Sequence, residues 1–299
     1  MNFSSALDLR PKLWTSLSGY TMERLRADVI AGIVVGIVAL PLAIAFGIAS
    51  GVSPTIGLVT AIIGGFMVSM FGGCSVQIGG PTGAFIVIVY NIIAQYGLTG
   101  LAVATAMAGL ILILMGLFRL GTVIKFIPYP IVVGFTAGIA LTIFSTQVND
   151  FLGLGLKDLP GQFLPKWGML LTNLGMIDLA TLLTGLVSLL IIVCTPMISK
   201  KLPGALIAII LVSAGAAVLG NMVDWYHVET IGERFGDMPT DLPVPHGFTL
   251  NMATINMLLP SAFTIAVLGA IESLLSATVA DGYTGSHTRT NTELIGQGL

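Results

Sequence analysis

Apolar runs separated by short polar segments make up most of this chain of 299 residues. Eight runs are candidate membrane crossings, at roughly residues 28–49, 55–71, 81–95, 101–118, 126–148, 178–198, 202–222 and 258–280. A transmembrane helix needs about 20 predominantly apolar residues, and most of the runs are close to that length. The pattern therefore predicts an all-α polytopic membrane protein.

Composition agrees with this class. Hydrophobic residues make up 55% of the chain and charged residues only 9%, whereas about a quarter of an average soluble domain is charged. The mean hydropathy is +0.99. Cys74 and Cys194 lie in different regions and belong to no metal or redox motif, so no disulfide framework is predicted.

Basic residues are distributed unequally between the two sides that the crossings define. If the first crossing starts in the cytoplasm, nine lie inside (Arg10, Lys12, Arg24, Arg26, Arg119, Lys125, Lys200, Lys201 and Arg289) and three outside (Lys157, Lys166 and Arg234). This bias predicts a cytoplasmic N-terminus, with residues 1–26 as a lead-in that lies against the bundle. In the external loop, Trp167, Leu170 and Leu171 are expected to cap the bundle or to form a lid.

The third apolar run has an unusual start. The segment 79–83 (GGPTG) opens a run of about 15 residues, which spans only about 22 Å as a helix, too short for the ~30 Å hydrocarbon core. The alternating, β-branched residues 74–79 predict a short strand. We therefore expect an extended segment to reach the membrane midplane, where Pro81, Thr82 and Gly83 begin a half-helix whose free N–H groups can bind an anion. The alternative is a cytoplasmic turn before an ordinary short span.

The first run contains a proline at its centre. Pro41 removes a backbone hydrogen bond and predicts a kink, which serves either packing or function. Phe46 is accordingly either a core residue or a wall of the substrate site. Gly32, Gly36 and Gly47 form a small-residue series that suits close helix packing.

Glu272 is the one ionisable residue in the apolar run 258–280. A charge at this depth is costly and usually faces a bundle interior, a water-filled cavity or an ion pathway. Because burial favours the neutral form of a carboxyl group, Glu272 is predicted to carry a coupling proton or to hold a coupling cation. Ser273 and Ser276 are the expected helpers, through hydrogen bonds or as oxygen ligands. The alternative is a structural Glu272 satisfied by serine, threonine or arginine neighbours.

Enzyme chemistry finds little support in the residues. The three histidines, His227, His246 and His287, all fall in predicted loops, and no zinc, nucleotide or dinucleotide motif is present. Glu272 is the one carboxylate expected at membrane depth, so an aspartyl-type pair is not predicted. A passive channel is the stronger rival, but a permanently ionised Glu272 would repel an anion, which favours a coupled transporter.

Several strings of residues resemble one family, the SulP anion transporters, which include the sulfate permeases, pendrin and prestin. Residues 40–51 (LPLAIAFGIASG) resemble its first span, 79–85 (GGPTGAF) its third helix, and 269–275 (GAIESLL), 281–282 and 291–298 (NTELIGQG) its eighth helix and the following segment. The matches run in order along nearly the whole chain. The string at 269–275 and the loop at 151–154 (FLGL) are most similar to the bacterial dicarboxylic acid uptake branch.

The resemblance implies a UraA-like fold of seven-plus-seven (7+7) inverted repeats. A core domain would hold spans 1–4 and 8–11, and a gate domain spans 5–7 and 12–14. The substrate would lie between the N-termini of half-helices 3 and 10, and the core would move against the gate as an elevator, usually in a homodimer. Because the sequence stops at Leu299, it is expected to be an N-terminal fragment, in which residues 27–299 hold spans 1–8 of the fourteen in the transmembrane domain. Most members of the family append a cytoplasmic STAS domain.

The resemblance also implies a function in the bacterial inner membrane. Sulfate or a C4-dicarboxylate would bind near Phe46, Pro81, Thr82 and Gly83, and no cofactor, metal or nucleic acid is expected. A carboxylate in the eighth span binds sodium in bicarbonate-transporting relatives, but the residue here is glutamate rather than aspartate, which favours protons. Leu42 replaces the glutamine of many animal relatives, so their chloride chemistry is not expected. Sodium-coupled bicarbonate transport and an anion channel are the alternatives.

Overall fold

The computed structural model describes residues 9–80, 82–122, 129–156, 159–160, 162–199, 204–223, 225–236 and 251–299. These residues form eleven α-helices: α1 (Lys12–Ser16), α2 (Met22–Ala49), α3 (Pro54–Phe71), α4 (Ile86–Leu117), α5 (Tyr129–Phe151), α6 (Phe163–Thr172), α7 (Leu179–Ile198), α8 (Gly204–Met222), α9 (Ile231–Phe235), α10 (Met252–Thr284) and α11 (Thr290–Gly298). Two 3₁₀ turns, Gly83–Phe85 and Leu174–Met176, precede α4 and α7.

The long helices begin where a polar side chain can accept a free backbone N–H group. The Thr21 side chain accepts the N–H of Arg24 at 3.3 Å at the start of α2. The Asn251 side chain accepts the N–H of Ala253 at 2.7 Å at the start of α10. Such N-caps satisfy donors that have no partner inside the helix, so the polar residues that flank the apolar runs set the helix boundaries.

Six helical segments among the described residues are long and apolar enough to cross a membrane. Five of them, α2, α3, α7, α8 and α10, match predicted crossings. The sixth, Gly83–Leu117, unites the predicted runs 81–95 and 101–118. Gly97 separates its two halves with φ 67° and ψ −175°, a conformation that glycine adopts without strain. Helix α5 corresponds to the predicted run 126–148, and the predicted all-α membrane fold is confirmed.

The short strand predicted over residues 74–79 does not form. No strand occurs in the described part of the chain, and the segment between α3 and α4 is irregular. Its polar groups bond to side chains and to α10 instead of a neighbouring strand: the N–H groups of Gly73 and Cys74 donate to Glu293, and the Gln77 amide donates to Ser273. An alternating pattern alone cannot supply the partner strand that an extended segment needs.

The chain divides into two compact units. The first contains Met1–Ala27, Ala43–Ile139 and Asp241–Leu299, and the second contains Asp28–Leu42 and Ala140–Thr240. Helices α3, α4 and α10 thus lie in the first unit and α7 and α8 in the second. Helices α2 and α5 contribute residues to both units, and the division into core and gate domains stays a prediction.

The core of the first unit lies between α4 and α10. Small buried residues on α10, Ala262, Ala266 and Ala270, contact Ala108 and Leu112 of α4. They recur every fourth position and therefore form one face of the helix. Small side chains let two membrane helices approach closely, so this face fixes the position of α10 along α4.

The N-terminal lead-in is attached to the first unit. The backbone N–H of Lys12 donates to Gly72 O at 2.9 Å, at the end of α3. The Arg289 guanidinium donates to Arg10 O at 2.9 Å, and Lys12 Nζ to His287 O at 3.1 Å. The lead-in therefore contacts the loop between α10 and α11, while Trp14 is exposed.

In the second unit, α7 packs against α8. Helix α6 of the expected external loop is held by Trp167, whose indole N–H donates to Ser145 Oγ at 2.8 Å. Leu170 is buried whereas Leu171 is exposed, so the predicted capping role fits the position of Trp167 and Leu170 but not that of Leu171. His227 lies in a described loop, and His246 lies outside the described residues.

Candidate functional site

Thr82 forms the start of the helical segment that leads into α4. Its backbone is extended (φ −131°, ψ 145°), and its side-chain oxygen accepts the N–H of Ala84 at 3.3 Å. The 3₁₀ turn Gly83–Phe85 and α4 follow directly. Counted from Gly83 to the break at Gly97, this segment is about 20 Å long at the helical rise. The structure thus contains the short helix that the sequence predicts, although Pro81 lies outside the described residues.

Glu272 meets this helix start. The Thr82 hydroxyl donates a hydrogen bond to Glu272 Oε1, so the same hydroxyl caps the helix and contacts the carboxylate. One turn earlier on α10, Gly269 faces the Phe85 ring, since a Cβ at Gly269 would lie 3.6 Å from Phe85 Cζ. The two contacts place the N-terminus of the short helix on α10, beside the carboxylate at the centre of the apolar run 258–280.

The other carboxylate oxygen of Glu272 has unused hydrogen-bonding capacity. Glu272 Oε2 is buried and has no hydrogen-bond partner among the described residues. Burying such an oxygen without a donor is unfavourable. A water molecule or a cation at Oε2 would supply the missing partner, and a proton would remove the negative charge, so Glu272 is a group whose charge state can change.

Ser273 and Ser276 are arranged differently from the prediction. The Ser273 hydroxyl donates to Glu293 Oε1 at 3.0 Å and accepts from Gln77 Nε2 at 3.3 Å, so the hydrogen bonds of its hydroxyl are directed to Glu293 and Gln77. Ser276 is exposed. Consecutive residues of a helix point about 100° apart, which explains why Ser273 and Glu272 have different partners. Neither serine adds an oxygen ligand at Glu272 in this arrangement.

Phe46 is buried in the second half of α2, where Ala43 and Gly47 are also buried. Gly47 lies against α3, since a Cβ at this position would be 3.1 Å from Gly57 Cα. The expected close packing at Gly47 is therefore present. At Gly32 and Gly36 a Cβ would meet nothing within 4 Å among the described residues, so this packing does not extend to the earlier glycines.

Glu293 is a second buried carboxylate that the sequence analysis missed. Its side chain is 1% exposed, although it lies beyond the apolar run of α10. Oε2 accepts the N–H groups of Gly73 at 2.7 Å and Cys74 at 3.1 Å. Oε1 accepts from Ser273 at 3.0 Å and from Gln297 Nε2 at 3.3 Å. Two glycines before an irregular segment, and the small residues of α11, are the sequence signals for such close packing.

These features define a class of protein: a multi-pass membrane protein in which a short helix begins beside a partly buried carboxylate of another span. Broken helices of this kind form the substrate sites of many secondary transporters. The profile of the sulfate permease family matches residues 25–299. The chain belongs to this family.

Several relatives share long stretches with the chain. The Bacillus subtilis protein YvdB, whose name describes it as a candidate sulfate transporter, is 45% identical over 281 residues, covering 94% of this chain and 52% of that protein. The bicarbonate transporter BicA of Synechocystis is 32% identical over 290 residues, covering 92% of this chain and 49% of BicA. The chain thus spans about half the length of the curated relatives it matches.

Solved structures confirm the predicted UraA-like fold class. The transmembrane domain of a cyanobacterial bicarbonate transporter BicA has a TM-score of 0.76 and 29% identity, covering 93% of this chain and 71% of that one. The structure of SLC26A9 has a TM-score of 0.77, covering 99% of this chain and 50% of that one. At 17% identity, the second likeness concerns the fold alone.

Proposed function

We propose that the protein is a secondary active transporter of small anions, coupled to protons through Glu272. The observation that carries this proposal is the hydrogen bond between Thr82, at the start of the short helix, and Glu272 of α10. A helix N-terminus offers free N–H groups and positive dipole charge to an anion. An ionised Glu272 beside that N-terminus competes with the anion for the same positive potential, whereas a neutralised Glu272 does not.

This competition couples two binding events. When a proton neutralises Glu272, the anion binds at the start of the helix without repulsion from the carboxylate. When the anion leaves, the carboxylate can lose the proton again on the same side of the membrane. Proton and anion therefore move together, and the core–gate motion of the family, an elevator in a homodimer with a cytoplasmic N-terminus, would carry both across the bacterial inner membrane. Thr82 and Gly83, with Pro81 and Phe46, would contact the anion.

The surroundings of Glu272 favour a proton over sodium. Hard cations bound by proteins take several oxygen ligands. Besides Glu272, the oxygen in contact here is the Thr82 hydroxyl, because Ser273 is bonded to Glu293 and Ser276 is exposed. A proton needs only the free Oε2. Sulfate and C4-dicarboxylates, the substrates expected from the bacterial uptake branch, are dianions that suit a helix N-terminus.

Sodium-coupled bicarbonate transport is the second candidate. The relative that favours it is BicA of Synechocystis, named a bicarbonate transporter, which shares 32% identity with this chain. An anion channel is the candidate from another class, because channels also use half-helices near a pore.

Uptake by the complete protein in proteoliposomes distinguishes these candidates. Radiolabelled sulfate, succinate and bicarbonate are each supplied with an inward proton gradient, an inward sodium gradient or neither. We expect a proton gradient to drive accumulation of a dianion above its external concentration. Accumulation driven only by sodium would reject the proton assignment and retain a coupled transporter, whereas flux that never exceeds equilibrium and does not saturate would indicate a channel.

The variant Glu272→Gln tests the role of the carboxylate. The amide imitates the neutral form, so we expect proton-driven accumulation to disappear while exchange of internal for external substrate is partly kept. Glu229→Gln is the matched control, since Glu229 is exposed. Undiminished, proton-dependent accumulation by Glu272→Gln would show that Glu272 has a structural role.

A further inference from the structure

The irregular segment between α3 and α4 is attached to α10 and α11 at three points. At its beginning, the N–H groups of Gly73 and Cys74 donate to Glu293. In its middle, Gln77 Nε2 donates to Ser273 Oγ and Ser273 O, each at 3.3 Å. At its end, Thr82 donates to Glu272. Because the described residues of this segment form no helix or strand, these side-chain bonds help to position Thr82, together with the packing of Gly79 against Val68 of α3.

Glu293 is suited to a permanent structural contact. Two backbone N–H groups, one hydroxyl and one amide donate to its two oxygens. A carboxylate accepts hydrogen bonds from several directions at once, so four donors use its capacity well. Glu272 has one donor and a free oxygen among the described residues. The two carboxylates therefore differ in what they can do.

Ser273 lies between the two carboxylates, Glu272 and Glu293. It follows Glu272 on α10, donates to Glu293 and accepts from Gln77. Gly73, Gln77 and Thr82 belong to one short segment, which contacts Glu293 of α11 and the α10 residues Ser273 and Glu272. We therefore expect a shift of Gly73 and Gln77 to change the distance between Thr82 and Glu272. Steric contacts support the arrangement: a Cβ at Gly72 would lie 2.9 Å from Glu293 Oε2, and one at Gly296 would lie 2.7 Å from Gly72 N.

We propose that Glu293 is a positioning residue for the transport site, which acts through Gly73, Cys74 and Ser273 to hold Thr82 against Glu272. The proposal rests on the transport function proposed above. It assigns to Glu293 no contact with the anion and no exchange of a proton. Its effect is on the geometry of the helix start, and so on the affinity for the substrate.

The test uses the complete protein with the substitution Glu293→Gln. The KM of uptake and the maximal rate per folded transporter are measured. In this variant, the side-chain NH₂ group would face N–H or O–H donors from which a carboxylate oxygen of Glu293 now accepts hydrogen bonds. We expect the substrate KM to rise about tenfold or more, the size of one lost hydrogen bond to a charged group. A structural defect alone would lower the amount of folded protein and leave the KM of the remainder unchanged. Glu229→Gln is again the control.

A double-mutant cycle with Thr82→Val asks whether Glu293 acts through Thr82. If it does, Glu293→Gln changes the KM by less than about threefold once the Thr82 hydroxyl is gone, because coupled sites are not additive. Additive effects, or a wild-type KM in Glu293→Gln, would overturn the proposal. If Glu293→Gln does not fold, Ser273→Ala takes its place in the same cycle with Thr82→Val, because it removes one of the hydrogen-bond donors to Glu293.

The two proposals fail in different ways. If Glu272→Gln removes accumulation while Glu293→Gln keeps a wild-type KM, only the positioning role is wrong. If Glu272→Gln accumulates substrate normally, the coupling function is wrong, whatever the KM of Glu293→Gln.

Discussion

Replacing Thr82 with valine removes a single hydroxyl group that makes two contacts. Valine keeps the branched shape of threonine, so the space at the start of the helix stays filled. The hydroxyl oxygen no longer accepts the N–H of Ala84, and no hydrogen is donated to Glu272 Oε1. After the substitution, the described residues supply no hydrogen-bond donor to either oxygen of Glu272.

The magnitude follows from these two contacts. Loss of an N-cap side chain costs about 1 kcal/mol, and loss of a hydrogen bond to a charged group costs about 1.5–3 kcal/mol. Because one hydroxyl makes both, the total of about 2.5–4 kcal/mol is an upper limit for the free energy that fixes the helix start. Each 1.4 kcal/mol of this free energy that is lost from substrate binding lowers the affinity about tenfold. We therefore expect the uptake KM of Thr82→Val to rise by about tenfold to a hundredfold.

The assay compares Thr82→Val with Thr82→Ser, which keeps the hydroxyl and lacks only the methyl group. Uptake by the complete protein in proteoliposomes gives the KM, and thermal unfolding in detergent shows that each variant is folded. Thr82→Ser should remain within about threefold of wild type, since both hydrogen bonds can form. A wild-type KM in Thr82→Val would refute the reasoning. Equal defects in the two variants would assign the effect to the methyl group instead.

Two further substitutions test the structure outside the Thr82–Glu272 contact. Gly73→Ala should lower the thermal unfolding temperature clearly, because its Cβ would collide with Arg289 O and lie 2.9 Å from Glu293 N. Gly64→Ala, where a Cβ meets nothing within 4 Å, should leave the temperature unchanged or raise it, and equal losses would contradict the packing. Burial lowers the pKa of Lys166 below its ordinary value of 10.5. The folded state therefore binds fewer protons than the unfolded state between the two pKa values, and stability rises with pH there. Lys166→Met should stabilise the protein at neutral pH, by an amount that shrinks as the pH approaches about 10.5, and a gain that grows with pH in thermal unfolding would contradict this.

The positions of the membrane helices follow from the sequence because apolar length is a local property. The runs 28–49 and 258–280 lie inside α2 and α10, whose ends are fixed by the flanking caps Thr21 and Asn251. The start of the short helix can also be predicted from the local sequence, since a proline and glycines at 79–83 interrupt the apolar pattern. The contact of Thr82 with Glu272 agrees with the depths expected from the sequence, where Pro81, Thr82 and Gly83 begin a helix near the membrane midplane and Glu272 lies inside the apolar run 258–280.

The parts that sequence reasoning missed depend on contacts between distant residues. The strand predicted at 74–79 had the right alternation, but the N–H group of Cys74 at its start bonds to a carboxylate 219 residues away. Ser273 was assigned to Glu272 because they are neighbours in sequence, whereas the direction of its hydroxyl depends on Glu293 and Gln77. Glu293 itself follows the apolar run, among polar residues, so its burial is visible only once α11 packs against α3 and α4.

The contrast between the buried Glu293 and the partly buried Glu272 bears on the mechanism. A residue that holds a loop in place must keep its partners in every state of the transport cycle, and four donors give Glu293 that property. A residue that couples an ion must be able to exchange one partner for another, and the free Oε2 of Glu272 allows this. Exchanging the roles would require moving to Glu272 the donors Gly73, Cys74 and Gln297, none of which lies on α10. On α10, neighbouring positions that point about 100° apart let Ser273 bond to Gln77 and to Glu293 of α11, while Glu272 beside it keeps one oxygen without a partner among the described residues.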